Sequence, residues 1–520
     1  MTKIANKRPL VILAVGMIIF ILLLLYCNSA ALRIAMLSAG LLLGVVGLLL
    51  WLILKNKVCK YVFSRVFIVA FSCLMALGGF TISERLYLRD YCDYSGYAVV
   101  SGRVAEVGGI YNGNKCKITL DNASVHAENL DKDLNGKVLL VIITDSASEE
   151  LFTVGANIAA TSKITFSKLY YVGQYGLSFN YALKNITCSG YAMQQDVSVV
   201  NEELNLTLND LINNKVYDIV NYALDEEYAG LALGMLFGDK YYLDEEISAD
   251  FSATGISHLL AVSGLHVGFL LTILLLLCKL FKLKGIPKFL IISAILIFYA
   301  YLCGFSVSVV RAVIMAVCSL YAGCRFKRYD SLNALALSAI IVLCIQPFSL
   351  STVGFRLSYM AVLGIILLAR PLTKLFSKIF KQKLANTIAT MLAVQIGTCG
   401  VIISAFKNIS IVAIVANFIS IPVASLAYMI LFVTVCISFI LPFAKIIVYL
   451  YQFIMQVVVK FVHLLAPLGV LSISSWKGSA LLGVSLPAIT LSSQYLFINK
   501  YAKAIISIIL WVAFCVVLFI

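Results

Sequence analysis

The feature that most constrains this chain is a series of apolar runs, each about as long as a lipid bilayer is thick. Of its 520 residues, 62% are hydrophobic and 12% are charged, whereas a soluble globular chain has about 25% charged residues. About 20 apolar residues cross a bilayer as a helix. Because lipid offers no partner to backbone N–H and C=O groups, we expect helices. The sequence predicts a polytopic α-helical membrane protein with about 10–13 membrane segments.

Three apolar runs come first, near residues 10–27, 33–54 and 62–80. Basic residues precede the first run and separate the second from the third: Lys3, Lys7, Arg8, Lys55, Lys57, Lys60 and Arg65. Because cytoplasmic flanks are enriched in Lys and Arg, we expect a cytoplasmic N-terminus. The first run resembles a signal peptide, but no clear cleavage site follows it, and we interpret it as an uncleaved helix. After three crossings, residues 81–250 should be extracytoplasmic.

Residues 81–200 have the pattern of β-strands. Turn signals such as Asn112-Gly113 and Asn135-Gly136 separate four stretches rich in Val, Ile and Thr, at 98–107, 115–125, 137–144 and 156–166. Such spacing predicts a small inserted β-barrel of about five strands, similar to an OB fold. Residues 81–205 carry 10 Lys+Arg and 14 Asp+Glu. This net charge of −4 argues against a strong phosphate-binding surface on the barrel.

The 14 cysteines lie mostly in apolar segments, where we expect them to pack as small hydrophobic residues. No cluster of Cys and His suggests zinc, and we predict neither a metal nor a cofactor. Cys92, Cys116 and Cys188 lie in the polar segment. Outside the cytoplasm two of these three are candidates for a disulfide, and the sequence leaves their pairing open.

Residues 201–250 link the predicted barrel to the second half of the chain. Apolar side chains recur at helical spacing over residues 204–224, which predicts an amphipathic helix on the outer membrane face or against the channel domain. Asp250 is expected to cap the segment that follows it. These boundaries divide the chain into N-terminal membrane helices (1–80), a barrel (81–200), an amphipathic and glycine-rich segment (201–250) and a second membrane domain (251–520).

The second membrane domain alternates apolar runs with basic loops. Loops 279–288, 325–328 and 370–383 are predicted to be cytoplasmic. The predicted spans lie near 255–278, 287–304, 307–323, 331–346, 355–369, 384–405, 411–440 with a kink at Pro422, 446–467, 478–496 and 504–520. Residues 251–520 hold 20 Lys+Arg and a single acid, Asp330. This excess of basic residues suits an anionic substrate better than a cationic one. The alternative explanation is the enrichment of Lys and Arg in cytoplasmic loops alone.

The most distinctive stretch runs from Phe251 to Gly268 and includes Gly255, His258, Ser263, Gly264 and His266. Polar residues at a membrane span indicate function, and the glycines predict a broken or re-entrant helix that lines a cavity or is covered by protein. Ser263 with His258 or His266 also has the composition of a nucleophile and its base. Because the only acid of this half, Asp330, is predicted to be cytoplasmic, we favour pore lining or helix–helix hydrogen bonding over an intramembrane hydrolase.

This stretch resembles the signature of the ComEC family, the channels that carry one DNA strand into competent bacteria. Further positions that match the family are Gly238, Asp239, Gly304, Arg311, Asn333, Pro347, Gly354, Ser358, Asn417 and Pro422. The resemblance implies a channel for single-stranded DNA in the bacterial cytoplasmic membrane during natural transformation. It also implies a surface DNA receptor, a cytoplasmic helicase or translocase, and a separate nuclease as partners.

Two enzymatic features of such systems have no matching residues in this sequence. Many family members carry a metallo-β-lactamase-like domain, but the four histidines here, His126, His258, His266 and His463, form no HxHxDH cluster. We therefore expect a short form without that domain and without enzymatic activity. The sequence also has no P-loop motif for ATP.

A DNA strand that crosses lipid needs a wet passage whose walls attract phosphate without trapping it. We expect Arg311 and Arg356 to form a cationic outer vestibule, with His258, Ser263 and His266 along the path. The alternatives are a helix-bridging contact for Arg311 and snorkelling for Arg356. A transporter of a small anionic metabolite is a third functional hypothesis, beside the DNA channel and the hydrolase.

Overall fold

The structure is a computed structural model of the 520-residue chain. It describes residues 8–26, 29–53, 57–111, 115–128, 130–143, 152–167, 181–201, 206–238, 243–406, 408–410, 412–439, 441, 447–468 and 470–472. The chain divides into two compact units. The barrel unit comprises Gly16–Tyr222 and Leu343–Thr352, and the helical unit comprises Met1–Val15, Ala223–Val342 and Val353–Ile520.

The polytopic helical class is confirmed. In the described ranges, nine helices are long and apolar enough to cross a membrane, and two shorter apolar helices, Gly264–Leu280 and Ser331–Ile345, accompany them. The three N-terminal helices are α1 (Pro9–Tyr26), α2 (Ala30–Ile53) and α3 (Lys57–Leu88). The last two predicted spans, 478–496 and 504–520, lie outside the described residues.

A closed barrel follows α3, as the sequence predicted. Its strands are β1 (Ser95–Tyr111), β2 (Lys115–Ala127), β3 (Leu130–Asp133), β4 (Lys137–Ile143), β5 (Asn157–Phe166), β6 (Ile186–Met193) and β7 (Val197–Asn201). The order β1-β2-β4-β6-β5 closes because β5 pairs back onto β1, while β3 and β7 extend β2 and β5. Only β4 and β6 run parallel among the described pairs of this sheet. This is a small OB-like barrel.

The barrel core follows from the alternation of buried and exposed residues along its strands, which is clearest in β5. In β5, Ile158, Ala160, Ser162 and Ile164 are buried, whereas Thr161, Lys163 and Thr165 between them are exposed. Alternate side chains of a strand point to opposite faces, so one set fills the interior. The segment after α3 fixes the barrel on that helix, because the Asp90 carboxylate accepts hydrogen bonds from Asn135 N (2.7 Å) and Gly136 N (2.8 Å).

The amphipathic helix α4 (Leu208–Ala223) is tied to the barrel by a buried ion pair. The Arg103 guanidinium donates to Asp121 Oδ2 at 2.8 Å and to Asp210 Oδ2 in the first turn of α4. The backbone N and Oγ1 of Thr207 also donate to Asp210, at 2.8 and 2.7 Å. The sequence placed this helix on the outer membrane face or against the channel domain. Its first turn is instead held by the barrel, through a strand residue far away in sequence.

The described part of the helical unit contains ten further helices and a two-stranded sheet. The helices are α5 (Glu226–Phe237), α6 (Glu245–Ala253), α7 (Gly264–Leu280), α8 (Gly285–Leu302), α9 (Val307–Cys324), α10 (Ser331–Ile345), α11 (Val353–Phe376), α12 (Gln382–Phe406), α13 (Ala413–Ser438) and α14 (Val448–Leu465). β8 (Asn408–Ser410) pairs with β9 (Val470–Ser472). Nine consecutive residues of α5, Tyr228 to Leu236, are buried. A helix that is apolar all round is expected to be surrounded by protein or lipid.

Candidate functional site

The chain breaks between α6 and α7, as the glycines predicted. Asp244 caps the start of α6 by accepting hydrogen bonds from Glu246 N (2.8 Å) and Ile247 N (3.0 Å). The helix ends at Ala253, and Gly255 two residues later has a φ of +76°, which favours glycine. A β-carbon there would also lie 3.0 Å from Ala413 Cβ at the start of α13. The predicted span 255–278 is therefore wrong at its beginning, because the α7 helix begins only at Gly264.

A 3₁₀ turn, Ser257–Leu260, occupies the break and separates the two histidines. Leu259 and Leu260 are buried, whereas His258 before them is exposed. His266 lies in the first turn of α7 and is only 1% exposed. The two histidines thus belong to different elements, His258 to the 3₁₀ turn and His266 to α7.

Ser263 and His266 form a capping box at the start of α7. Ser263 Oγ accepts a hydrogen bond from Leu265 N at 3.2 Å, and His266 Nδ1 accepts one from Ser263 N at 3.1 Å. Because Nδ1 accepts, its lone pair is occupied and the proton of a neutral ring lies on Nε2. Ser263 Oγ is 3.5 Å from Nδ1. The serine and histidine therefore serve as a helix cap in this arrangement, with no free base directed at the hydroxyl.

The His266 ring packs on a buried tyrosine network. Its centroid lies 4.4 Å from that of Tyr428 on α13. The Tyr428 hydroxyl lies 3.1 Å from the Tyr299 hydroxyl on α8, which donates to the Leu236 carbonyl oxygen at 3.0 Å. The network thereby joins α7, α13 and α8 to the C-terminal end of α5. His266 Nε2, on the other side of the ring, is buried and has no hydrogen-bond partner in the described part of the chain.

Arg311 on α9 lies beside this cap. It is 7% exposed, its Nη1 donates to the Ser358 carbonyl oxygen on α11, and its guanidinium carbon lies 6.0 Å from the centre of the Tyr359 ring. Its Nε has no hydrogen-bond partner, and no carboxylate pairs with it, among the described residues. A β-carbon at Gly264 would lie 2.6 Å from Arg311 Nη2. The arginine therefore bridges α9 and α11 and packs against the first residue of α7.

The one acid of the C-terminal half lies in a different cluster. Asp330 Oδ2 accepts from Arg8 Nε at 2.9 Å, and Asp330 Oδ1 caps α10 by accepting from Leu332 N and Asn333 N, both at 3.1 Å. Both oxygens of Asp330 are thus engaged there, and neither contacts a histidine.

The other predicted positions spread over several helices. Gly238 ends α5 with a φ of +83° and packs near Val262. Asn417 donates to the Ala413 carbonyl oxygen at 2.7 Å, and Pro422 lies inside α13. Arg356 is half-buried in the first turn of α11, and Gly354 before it is exposed. Asp239 lies outside the described residues.

Two further predictions concern the barrel cysteines and Asp250. Cys92, Cys116 and Cys188 are not bonded to one another in the structure. The disulfide among them stays a prediction. The predicted capping role of Asp250 is wrong, because Asp250 lies within α6 and the helix that follows, α7, is capped by Ser263. Asp250 Oδ2 instead lies 2.6 Å from His463 Nδ1 on α14. No local pattern in the sequence indicates this long-range pair.

Sequence reasoning missed the close crossing of α11 and α12. A β-carbon at Gly397 would lie 2.7 Å from the Met360 carbonyl oxygen and 3.2 Å from Gly364 Cα, and one at Gly364 would meet the Ala393 carbonyl oxygen. It also missed Tyr299 and Tyr428, which are two of 27 tyrosines. Glycines within two adjacent predicted spans were the available signal for the crossing.

Comparison with known proteins gives consistent matches. The family model described as "Competence protein" matches residues 235–496, about half of the chain. "ComE operon protein 3" of Bacillus subtilis is 26% identical over 211 residues, which are 41% of this chain and 26% of that protein. "Recombination protein 2" of Haemophilus influenzae is 32% identical over 146 residues, 27% of this chain and 18% of that protein. An "Uncharacterized protein" of Aquifex aeolicus is 32% identical over 151 residues, 28% of this chain and 35% of that protein. No solved structure matches the chain significantly.

Proposed function

Since this multi-pass membrane chain belongs to the Competence protein family, also called the ComEC family, we propose that it is the channel through which single-stranded DNA crosses the cytoplasmic membrane during natural transformation. The matched stretches span between 18% and 35% of the curated relatives, so the relatives' names support the family and the channel role is our inference. The matched region, residues 235–496, includes the break between α6 and α7.

The observation that carries the proposal is the buried, unpaired charge of Arg311. A charge within a membrane protein is costly unless a partner or water compensates it, yet no carboxylate pairs with Arg311 in the described ranges. A guanidinium has a planar fork of donors that suits phosphate. The phosphates of a passing strand would supply the missing negative charge.

Neighbouring polar atoms support the same interpretation. His266 Nε2 and Ser358 Oγ are buried without hydrogen-bond partners among the described residues, as Arg311 Nε is. His266 lies in the first turn of α7, and Arg311 packs against Gly264 and donates to the Ser358 carbonyl oxygen. Buried polar atoms normally have partners, so the unpartnered Nε of Arg311, together with unpartnered atoms on Ser358 and His266, favours a site that an anionic, hydrogen-bonding substrate visits.

The orientation that we propose has the barrel outside the cell and the N-terminus inside. Arg8, directly before α1, pairs with Asp330 beside the basic loop 325–328, and positive-inside bias favours the cytoplasmic side for such a basic end. Labelling an Asp131→Cys variant with a membrane-impermeant maleimide in intact cells tests this, because Asp131 is exposed. Labelling that appears only after lysis would overturn the orientation.

The partners that we propose follow from the work of transport. Moving a strand through the membrane needs a force, and we propose that a cytoplasmic helicase or translocase supplies it. A surface receptor would deliver duplex DNA, and a separate nuclease would remove the second strand.

A hydrolase based on Ser263 is disfavoured, because His266 Nδ1 already accepts the Ser263 backbone N–H.

An uptake assay tests the proposal. A strain in which this chain is deleted should bind labelled DNA at its surface but fail to make it resistant to external nuclease. Complementation with Arg311→Gln should lower protected DNA about tenfold or more, since a charged hydrogen bond is lost. Arg311→Lys should restore part of the uptake, and Arg325→Gln, in a predicted cytoplasmic loop, should have little effect. Normal uptake in the deletion strain would overturn the DNA-channel proposal.

A further inference from the structure

Three loops of the helical unit each expose a phenylalanine that is followed directly by a lysine. The pairs are Phe281–Lys282 after α7, Phe326–Lys327 after α9 and Phe380–Lys381 after α11. The Phe326 side chain is 98% exposed and that of Phe281 is 70% exposed. All three lysines are exposed as well. We call the stretches that carry these pairs, 279–288, 325–328 and 370–383, the Phe-Lys end.

The directions of the helices bring these stretches to one end of the helical unit. α7, α9 and α11 begin beside one another, because Arg311 packs against Gly264 and donates to the Ser358 carbonyl oxygen. Short connections join α7 to α8 and α8 to α9, so α8 runs back between two helices that share a direction. The Phe289 ring at the start of α8 lies 5.9 Å from the Tyr321 ring near the end of α9. The first two Phe-Lys pairs therefore follow helix ends that lie side by side.

The lengths of the helices set the depth of the Phe-Lys end in a membrane. α7 has 17 residues, and α8 and α9 have 18 each, which is about 26–27 Å at 1.5 Å per residue. The hydrocarbon of a bilayer is about 30 Å thick, and the bilayer with its headgroups is about 40–45 Å thick. Helices of this length end within the headgroup layer. Connections as short as residues 281–284 keep the loops at that depth.

The charge of the Phe-Lys end favours an anionic group at that depth. Its three stretches hold 12 Lys+Arg and no Asp or Glu. The acid that follows the second stretch, Asp330, already accepts a hydrogen bond from Arg8. Lys282, Lys327 and Lys381 pair with no acid in the described part of the chain. Basic segments next to a membrane are attracted to anionic headgroups.

The apolar side chains of the Phe-Lys end distinguish it from an ordinary basic loop. Positive-inside bias accounts for lysines in such loops, but it requires no exposed rings beside them. Aliphatic side chains accompany the rings, since Ile286 is 56% exposed and Ile379 is 77% exposed. Acyl chains cover aliphatic and aromatic side chains alike, whereas nucleic acid bases stack on rings. A lipid offers both an apolar region and a charged group at this depth.

We propose that the Phe-Lys end binds anionic phospholipids, with the phenylalanines between acyl chains and Lys282, Lys327 and Lys381 on the lipid phosphates. A lysine stem lies along apolar surface while its ammonium reaches the headgroup, which suits a residue directly after an inserted ring. The three loops come from three different helix pairs, so bound lipid would hold α7 to α12 together at this end. The inference goes beyond the proposed function and does not depend on transport of a strand.

The test titrates the purified full chain in detergent with phosphatidylglycerol or with phosphatidylcholine of the same acyl chains. Native mass spectrometry counts the lipids bound. The wild type should bind phosphatidylglycerol more tightly than phosphatidylcholine. Lys282→Gln/Lys327→Gln/Lys381→Gln should weaken phosphatidylglycerol binding about tenfold or more, since each basic residue near the surface contributes about fivefold. Its binding of phosphatidylcholine should stay at the wild-type level, and the corresponding Lys→Arg triple variant should keep the preference.

Two further variants separate charge from apolar contact. Lys115→Gln/Lys163→Gln/Lys184→Gln removes the same number of charges from the barrel unit and should keep the wild-type preference for phosphatidylglycerol. Phe281→Ala/Phe326→Ala/Phe380→Ala should weaken the binding of both lipids by a similar factor, because apolar burial does not depend on the headgroup charge.

Three results would overturn the inference. The first is an undiminished preference for phosphatidylglycerol in the Lys→Gln variant of the Phe-Lys end; if that variant has also lost affinity for a fluorescent oligothymidine, the surface belongs to nucleic acid. The second is an equal loss of preference in the barrel variant, which would make total charge the cause. The third is wild-type binding of both lipids by the Phe→Ala variant.

Discussion

Arg311 Nη2 occupies the space next to the α-carbon of Gly264, at 2.6 Å from where a β-carbon on that residue would lie. The burial of the Arg311 guanidinium therefore depends on a glycine as the first residue of α7. The two residues come from separate helices and are 47 positions apart in the sequence. Their contact joins the broken segment between α6 and α7 to the arginine on α9.

Replacing Gly264 by alanine should displace the Arg311 guanidinium. We expect a loss of about 1–3 kcal/mol of stability, typical of overpacking, and reduced DNA uptake. Thermal unfolding of the purified protein and the nuclease-protection assay measure the two effects. Gly268→Ala is the matched control, because a β-carbon there meets nothing within 4 Å. Equal behaviour of the two variants would contradict the contact.

The crossing of α11 and α12 should be equally intolerant of a side chain. Gly397→Ala would bring a β-carbon to 2.7 Å from the Met360 carbonyl oxygen, a backbone atom that moves only with its helix. We expect lower thermal stability and less protein in the membrane. Gly354→Ala on α11 has open space around it and should behave like the wild type; if it is as unstable as Gly397→Ala, the close crossing is not the cause.

Ser263→Ala should act as the loss of a helix cap. Removing such a hydroxyl costs about 1 kcal/mol, so the melting temperature should fall slightly while uptake persists. A fluorophosphonate probe should form no adduct with the wild-type protein, because His266 Nδ1 is occupied by the Ser263 backbone N–H. An adduct at Ser263 detected by mass spectrometry would restore the hydrolase hypothesis.

Much of the fold could be predicted from the sequence, because it depends on local patterns. Apolar length marks membrane helices, and alternation with turn signals marks the barrel strands. The break before α7 was also predictable, since Gly255 and Gly264 interrupt an apolar run. Its exact form was not, because the capping of α7 by Ser263 and His266 depends on which backbone groups the loop leaves free.

The sequence singled out residues that the structure places near the start of α7, but not their contacts, and their role in function stays a prediction. The sequence singled out His266 and Arg311, and one of its alternatives for Arg311, a contact between helices, agrees with the observed bond to Ser358. The pairs Asp250–His463 and Arg103–Asp210 were not predictable. Each joins residues more than 100 positions apart, and no local spacing encodes such a contact.

Asp210→Asn should loosen α4 from the barrel. The variant removes one of the two carboxylates that contact the buried Arg103 guanidinium, Asp121 and Asp210, and breaking a buried pair costs about 3–5 kcal/mol. Hydrogen exchange should accelerate over residues 208–223. The control Asp131→Asn, in the exposed pair with His126, should leave hydrogen exchange in α4 at the wild-type rate. A wild-type exchange rate in Asp210→Asn would show that the Arg103–Asp210 ion pair does not hold α4 on the barrel.

Cys188 should resist alkylation in the folded barrel. Burial raises the pKa of its thiol to about 12, and the nearby Cys92 adds to this. A thiol whose folded pKa is raised stabilises the fold below its unfolded pKa of about 8.5, and this contribution is lost as the pH rises towards 12. Iodoacetamide near neutral pH should modify half-buried Cys92 before Cys188. Protection of both until a reductant is added would instead show that they form a disulfide.

In the function that we propose, an incoming DNA strand passes the break between α6 and α7. Photo-crosslinking tests this passage most directly, with p-benzoylphenylalanine in place of the exposed His258. The control carries the same photo-crosslinker in place of Leu290, which is exposed on the apolar helix α8. During uptake of labelled DNA, position 258 should crosslink to a single strand and position 290 should not. Normal uptake without any crosslink at 258, or equal crosslinks at both positions, would contradict the account.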